Sequence, residues 1–243
     1  MATLTKLIVS TILGLLMMSC NFDMNFNPGV KGNGIVTTET RSVEGEFDVI
    51  KVSRGIDVFL TQTGEDAITV EADENLHEII MTEVEDGVLR IYADENIARS
   101  KAQKVMVSFE NVRMIKATSG SDVVGDNTIT ADELTLETSS GADMRLDINA
   151  TTVDCSSSSG SDMRLSGKTD KLYAEASSGS DIKAGNLEAV STQVKASSGA
   201  DVTVNTSKEL TAKASSGGDI KYYGNPEKVN KSDGVSGSIR KRN

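Results

Sequence analysis

The residues of this sequence with the clearest potential for chemistry are aspartates that recur at a nearly constant interval. Each aspartate ends a short phrase, Ser-Gly-x-Asp, and an aliphatic residue follows it. The glycines of successive copies are 21, 19, 19, 20 and 18 residues apart. Carboxylates at such regular spacing could bind calcium, or they could form a structural column. The aspartates are Asp122, Asp143, Asp162, Asp181, Asp201 and Asp219.

The sequence favours the structural role over calcium binding. Calcium takes about six to eight oxygen ligands, whereas each repeat supplies one acid and no second oxygen-rich turn. Adjacent strands lie about 4.8 Å apart, so neighbouring carboxylates would repel by roughly 0.9 kcal/mol in water. Four of the six copies have Arg or Lys two residues after the aspartate, on the same strand face, where it would offset that repulsion. We therefore predict a charged surface ladder, no metal site and no calcium dependence of stability. The ladder consists of Asp143, Arg145, Asp162, Arg164, Asp181, Lys183, Asp201, Asp219 and Lys221.

The period near twenty residues predicts the fold. It is typical of a solenoid, in which each repeat buries its apolar side only by stacking on its neighbours. Around each turn, apolar or small residues alternate with polar ones, which is the period of a β-strand. The copies repeat in register rather than mirrored, so the strands should be parallel. We predict an all-β chain folded as a right-handed parallel β-helix, or β-solenoid, with about six regular rungs of 18–21 residues and a less regular β N-terminal half.

Counting from each repeat glycine predicts which side chains share an inward column. The columns next to the turn hold small residues, such as Ala176 and Ala196, and those further away hold larger aliphatic residues. Lys195 should point outward, because side chains alternate along a strand. Cys155 falls in an inward column and is predicted to be a buried small side chain without a disulfide partner.

The N-terminal half is predicted to continue or cap the same stack, because an uncapped solenoid end exposes apolar surface and strand edges. Apolar residues alternate in 56–60, 68–72 and 105–109. Asp86-Gly87 predicts a hairpin, since a type I′ turn needs positive φ at both central residues. The segment 53–58, Ser-Arg-Gly-Ile-Asp-Val, is interpreted as a degenerate seventh copy of the repeat.

The N-terminal residues contain an export signal. Lys6 precedes an apolar run from Leu7 to Met18, which is too short to span a bilayer and is typical of a secretory signal peptide. The run ends in Leu-Met-Met-Ser-Cys, which resembles a bacterial lipobox with Met17 where Leu is usual. The alternative is an ordinary signal peptide with an incidental Cys20. We predict a signal peptide over 1–19, acylation of Cys20, a tether over 20–34, a single β-solenoid domain over 35–226 and a C-terminal tail or cap over 227–243.

Composition excludes several classes of function. A formal net charge of −11 would repel nucleic acid and anionic lipid. The sequence has no Ser/His/Asp set, no phosphate-binding loop and no metal-spaced Cys/His cluster. The one histidine, His77, follows an acidic stretch and is predicted to be a solvated loop residue. We therefore predict a protein that is not an enzyme, has no cofactor and binds no nucleic acid.

Several short segments, taken in their order, carry a family resemblance. They are Phe47–Val52, Gly55–Leu60, Val70–Asp73, Asp86–Ile91 and the Ser-Gly-x-Asp repeats. From about Gly34 to Pro226 the chain resembles the head GIN domain family of "putative adhesins", which are secreted or lipid-anchored bacterial proteins. The resemblance implies a right-handed β-helix-like solenoid and an adhesin role, and it supplies no catalytic residues.

The sequence thus predicts a non-catalytic, lipid-anchored cell-envelope protein of the outer membrane that acts as an adhesin or a surface-binding scaffold. Its expected partners are the membrane, through the lipid anchor, and a polysaccharide or another cell-surface component. The alternative is a β-helix carbohydrate-active enzyme similar to polysaccharide lyases. Lyase sites contain long loops that depart from the repeat, whereas the repeats here are short and nearly uniform.

Overall fold

The computed structural model describes residues 29–234 and 236–242. In this part of the chain the regular elements are β-strands and one 3-10 turn, Glu74–Leu76, and no helix in it is long and apolar enough to cross a membrane. The strands are β1 (Val30–Lys31), β2 (Val36–Arg41), β3 (Val49–Val52), β4 (Asp57–Gln62), β5 (Ala67–Asp73), β6 (Ile80–Glu85), β7 (Val88–Ala93), β8 (Ile97–Arg99), β9 (Gln103–Phe109), β10 (Met114–Thr118), β11 (Asp122–Ser139), β12 (Asp143–Ser157), β13 (Asp162–Ala176), β14 (Asp181–Ala196), β15 (Asp201–Ala214), β16 (Asp219–Tyr223), β17 (Lys228–Asp233) and β18 (Ser238–Lys241).

The long strands β11 to β15 form the regular rungs of a parallel β-solenoid. Each rung has a post-turn side that follows its Ser-Gly turn, a middle side, and a pre-turn side that leads to the next turn. Each rung pairs in parallel with the rungs before and after it. The inward columns counted from the glycines are aligned by this pairing and are buried. The predicted parallel solenoid is confirmed, with about seven turns in all.

The Ser-Gly turns are themselves part of the hydrogen-bonded stack. Both residues have positive φ, for example 55° at Ser159 and 69° at Gly160, a conformation that glycine adopts without steric cost. The N–H of Gly160 donates to the carbonyl oxygen of Ser178 in the next rung at 3.2 Å. The same bond recurs in every copy from Gly55 to Gly199. The turn is therefore fixed by its neighbours as well as by its own conformation.

Most of the variation in repeat length is absorbed at the corner between the post-turn and middle sides, and one further shift follows Ala189 at the next corner. At the first of these corners the pairing register shifts after Val124, after Arg164 and after Ala184. Gly167 lies just beyond this corner with a φ of 108°. A Cβ on it would lie 2.0 Å from the carbonyl oxygen of Ile148 in the previous rung. The corner thus tolerates insertions in some rungs while another rung requires glycine.

The N-terminal half supplies the first turn of the stack. Strand β4 pairs in parallel with β11, which places Asp57 beside Asp122, and β3 pairs in parallel with β10. Arg54 and Gly55 have the positive φ of the repeat turn. The predicted degenerate copy at 53–58 is therefore confirmed.

The cap beyond this first turn contains reversed strands. Strands β6 and β7 form the predicted hairpin around Asp86 and Gly87, whose φ values are 50° and 76°. Strand β5 pairs antiparallel with β9 and with β2. The pre-turn sheet therefore ends on β6 and the post-turn sheet ends on β2.

Both ends of the described chain lie against the solenoid. Strand β1 pairs with β8, so residues 29–34, which the sequence assigns to the tether, are fastened to the domain. Strands β17 and β18, in the predicted C-terminal tail or cap, pair with β15 and β16 and extend the stack. The signal peptide, Cys20 and the tether up to residue 28 lie outside the described residues.

Buried Asp73 holds the N-terminal segment in place. Its carboxylate accepts hydrogen bonds from the N–H groups of Gly34 (2.9 Å), Lys101 (3.0 Å) and Ala102 (3.1 Å). Burial alone would raise the pKa of Asp73, but these three donors outweigh it and hold the pKa below its ordinary value. The carboxylate is thus ionised in the folded protein at neutral pH.

Candidate functional site

The predicted charged ladder lies on the post-turn side of the solenoid. The pairing register places the repeat aspartates in one column, which Asp57 extends at the N-terminal end. The residues two positions later form a second column beside it. This second column consists of Val124, Arg145, Arg164, Lys183, Thr203 and Lys221.

Cations contact only part of the aspartate column. Among the described residues, Asp57, Asp122, Asp143 and Asp219 form no ion pair, and neither does Arg145. The paired side chains are partly exposed, and exposed ion pairs contribute only about 0–1 kcal/mol each. The ladder therefore relieves repulsion between Asp162 and Asp201 rather than driving folding. The pairs are Arg164–Asp162 (3.4 Å), Lys183–Asp162 (3.2 Å), Lys183–Asp181 (3.0 Å) and Lys221–Asp201 (3.4 Å).

The unpaired N-terminal part of the column has perturbed carboxylates. Desolvation and the neighbouring Asp143 carboxylate raise the pKa of Asp122. Desolvation and the Asp122 carboxylate raise the pKa of Asp57, and Lys104 opposes this shift only in part. Repulsion thus remains where no cation stands beside the column.

Replacing Asp122 by asparagine is expected to stabilise the protein at neutral pH. The raised pKa of Asp122 means that the folded state binds this proton more tightly than the unfolded state does. The ionised carboxylate therefore destabilises the fold, and this effect fades as the pH falls through the folded-state pKa. The melting temperature of the Asp122→Asn variant should exceed that of the wild type at about pH 7, and the difference should shrink at about pH 4.

Asp162→Asn is the matched control for this prediction. Asp162 occupies the same column but contacts Arg164 and Lys183. Its replacement removes attraction as well as repulsion, so no gain in melting temperature is expected at neutral pH. Equal gains in the two variants would contradict the unequal pairing of the column.

A second feature, the corner groove, runs along the edge where the rungs turn from their middle side into their pre-turn side. Its volume is about 650 Å³ and it crosses five rungs, a length of about 19 Å at the spacing of adjacent strands. The floor consists of small residues, which make the surface concave there. The floor is Ala131, Ala150, Thr169 and Ala189; one wall is Thr130, Asn149, Lys168, Glu188 and Asn205; the other is Asp132, Thr151, Asp170, Val190 and Ser207.

The walls of the corner groove present polar groups without partners in the protein. Within the described residues, the side-chain amides of Asn149 and Asn205 and the ammonium of Lys168 form no hydrogen bond or ion pair. These groups are therefore available to a ligand. The charged side chains of the groove are Asp132, Asp170, Glu188 and Lys168.

A recess of about 520 Å³ continues the corner groove at its C-terminal end, and Asn205 lines both. The Tyr223 side chain in the recess is 37% exposed. Its ring lies beside Gly185, where an added Cβ would be 3.5 Å from Cε2. Lys183 of the charged ladder and Asn186 line the recess as well. An exposed ring beside amide and ammonium groups is a surface on which a ligand can both stack and hydrogen-bond.

The residues of the corner groove are not among the predicted site residues. The columns predicted from the repeat glycines end before this corner. A signal was nevertheless present, because counting eleven positions back from the following glycine aligns Thr130, Asn149, Lys168 and Glu188.

The prediction that His77 is a solvated loop residue is wrong. His77 is only 4% exposed, because strand β2 covers it. Its Nε2 lies 3.0 Å from the Thr37 hydroxyl and its Nδ1 lies 3.4 Å from a Glu39 carboxylate oxygen. The Arg41 guanidinium donates to the His77 carbonyl oxygen at 2.7 Å. His77 therefore fastens β2 onto the cap, far along the chain from the groove residues.

Cys155 is buried in its inward column, as predicted, and is a free cysteine. Burial raises the pKa of its thiol far above the ordinary value, so the thiol is neutral and unreactive. In residues 29–234 and 236–242, no group of three or more His, Cys, Asp or Glu side chains is arranged to hold a metal ion.

Known proteins share this sequence pattern and fold. A family model described as "Putative auto-transporter adhesin, head GIN domain" matches residues 46–226. The crystal structure of a "putative adhesin" from Bacteroides fragilis NCTC 9343 is similar, with a TM-score of 0.80 and 21% identity over 88% of this chain and 100% of that chain. No curated protein sequence matches the chain.

Two structures from Parabacteroides distasonis ATCC 8503 are also similar, each over 88% of this chain and 99% of the other. One, a "putative lipid binding protein", has a TM-score of 0.71 and 20% identity. The other, a "putative adhesin", has a TM-score of 0.71 and 23% identity. At 20–23% sequence identity, these similarities show a shared fold.

Proposed function

The chain belongs to the head GIN domain family of "putative auto-transporter adhesins", and we propose that it is a non-catalytic, lipid-anchored protein of the cell envelope that binds an extended polymer along its corner groove. The observation that carries this proposal is the groove itself. It is open, crosses five rungs and presents at least one polar side chain at every rung.

The chemistry of the groove favours a neutral polysaccharide. Three carboxylates and one ammonium line it, and the chain has a net charge of −11, so a polyanion would be repelled. The free amides of Asn149 and Asn205 suit a ligand rich in hydroxyl groups, and Tyr223 offers a face for a sugar ring. Shallow contacts of this kind are individually weak. Many anchored copies on one cell would strengthen attachment to the same polymer.

A binding role is favoured over the alternative of a polysaccharide-cleaving enzyme. Enzymes commonly enclose the reacting bond and exclude water from it, whereas this groove lies open along its length. The groove crosses nearly uniform rungs, without the long inserted loops expected of a lyase. His77, a candidate general base by residue type, is held beneath β2 and does not line the groove.

The test of groove binding uses the full chain carrying Cys20→Ser, presented as a monomer and as a multivalent display to neutral and uronic-acid polysaccharides. We expect the multivalent form to bind neutral polysaccharide, without release of new sugar ends. The double variant Asn149→Ala/Tyr223→Ala should lose this binding, because it removes one free amide and the stacking face. Binding by surface display and a reducing-end assay are the measurements.

Tyr173→Ala provides the matched control. Tyr173 is 39% exposed, nearly the same as Tyr223, but it does not line the groove or its recess. Binding should survive this change. Equal loss in Tyr173→Ala and in the double variant would contradict the groove as the site. Release of reducing or unsaturated sugar ends would instead make the protein an enzyme.

The lipid anchor is tested separately. The apolar run from Leu7 to Met18 followed by Ser19-Cys20 supports acylation of Cys20. Cys20→Ser should abolish acyl labelling and move the protein from the membrane to the soluble fraction. Cys155→Ser, the control at the other cysteine, should leave both unchanged. Membrane retention of the Cys20→Ser variant would contradict the anchor. Protease treatment of intact cells would show whether the anchored domain faces the outside of the cell or the periplasm.

A further inference from the structure

The two ends of the solenoid are open strand edges. At the C-terminal end, among the described residues, β17 pairs only with β15 and β18 only with β16. At the N-terminal end, within residues 29–234, β6 pairs only with β7 and β2 only with β5. Each end therefore has one edge in the pre-turn sheet and one in the post-turn sheet. Backbone groups on such edges can pair with another chain.

The two ends carry opposite charge. Residues 224–243 contain five Lys or Arg and two Asp or Glu, whereas residues 29–113 contain nine basic and 17 acidic residues. On β17, the pre-turn strand at this end, Lys228 and Lys231 are exposed. On β6, Glu83 and Glu85 are exposed. The C-terminal edge is thus basic in a chain that is otherwise acidic.

These charges select which ends can meet. Like charges brought together across paired strands are destabilising, and opposite charges are favourable. Charged edge strands commonly prevent edge-to-edge association. Here the charge has opposite sign at the two ends, so it opposes contact between two N-terminal ends or two C-terminal ends. It does not oppose contact between one end of each kind.

We propose that copies of this chain associate head to tail, with the basic C-terminal edge of one copy against the acidic N-terminal edge of the next. Stacking along a common axis would bring β17 to β6 and β18 to β2. Strand β6 runs against the rung direction and β2 runs with it. The first new pair would therefore be antiparallel and the second parallel, and both patterns already occur in this sheet.

Such a contact joins two different surfaces. It is heterologous, and when the rotation between copies does not close a ring it continues into a row. The partner is a second copy of this chain, and no polysaccharide is required. If copies of this chain do not associate, the proposed binding of polysaccharide is therefore unaffected.

The test is sedimentation of the full chain carrying Cys20→Ser at increasing protein concentration and at two ionic strengths. We expect the average mass to rise with concentration at low ionic strength and to fall when salt shortens the range of the charge interaction. A wild-type sequence that remains monomeric at every concentration and salt would overturn the proposal.

Two charge reversals make the test specific. Lys228→Glu/Lys231→Glu makes the C-terminal edge acidic at β17, and Glu83→Lys/Glu85→Lys makes the facing N-terminal edge basic at β6. Each variant alone should remain monomeric, because its two ends now repel each other. An equimolar mixture should associate again, since every end then finds an opposite partner. Recovery on mixing also shows that both variants are folded.

Lys171→Glu/Lys208→Glu is the control, with the same change in net charge as the reversal on β17 but on two middle rungs outside the groove. It should associate as the wild type does. Association that survives both edge reversals, or a mixture that stays monomeric while each variant is folded by circular dichroism, would overturn the proposal.

Discussion

Replacing Gly167 by alanine is expected to destabilise the protein by roughly 3–5 kcal/mol. Gly167 has a φ of 108°, a conformation that side-chain-bearing residues rarely adopt. An added Cβ would also lie 2.0 Å from the carbonyl oxygen of Ile148. That oxygen belongs to the backbone of the previous rung, so relief requires two rungs to separate. Thermal unfolding should show a fall in melting temperature of roughly 6–20 °C.

Gly160→Ala in the same rung is the matched control. Gly160 has a φ of 69°, and no atom lies within 4 Å of the position of an added Cβ. Its replacement costs only the strain of the left-handed conformation, roughly 1–2 kcal/mol. If Gly160→Ala lowered the melting temperature as much as Gly167→Ala, the close approach to Ile148 would not be the dominant effect.

Ala196→Leu is expected to destabilise the protein by about 1–3 kcal/mol, the usual cost of overpacking a core. Ala196 is fully buried three residues before its repeat glycine. The two sides of a rung converge at the Ser-Gly turn, so little space remains between them. The equivalent hydroxyls of Thr138 and Ser157 in the same column are 3.0 Å apart and both contact Ser161 across the turn. The three added heavy atoms cannot be accommodated there without moving the rungs. Calorimetry would measure the loss.

Lys195→Leu tests whether the neighbouring side chain on the same strand points outward. Lys195 is exposed and forms an exposed ion pair with Glu175 at 3.4 Å, which is worth no more than about 1 kcal/mol. Its replacement should barely change the melting temperature. Similar losses in Lys195→Leu and Ala196→Leu would show that crowding near the turn does not limit the side chain at 196.

The regular part of this fold follows from the sequence because the turn and the strand sides next to it keep a fixed distance from the repeat glycine. Period-two alternation then assigns each side chain to the interior or the surface. This is why Ala196, Cys155 and the repeat aspartates occupy the predicted columns. The hairpin at Asp86-Gly87 was predictable for a similar reason, since its signal is contained in two adjacent residues.

The tertiary structure alone decided the features that depend on contacts between distant segments or on a change of register. His77 is buried because β2, 40 residues earlier, lies over it, and no local pattern encodes that contact. The corner groove depends on registers that shift by different amounts in different rungs, so a column counted forward from the glycine loses its alignment at the corner. The sequence by itself therefore determined the stack, its turns and its charged columns, which are set by local spacing. The cap, the groove and the identity of the strands at the two open edges follow only from the assembled rungs, because each depends on residues that meet across the stack rather than along the chain.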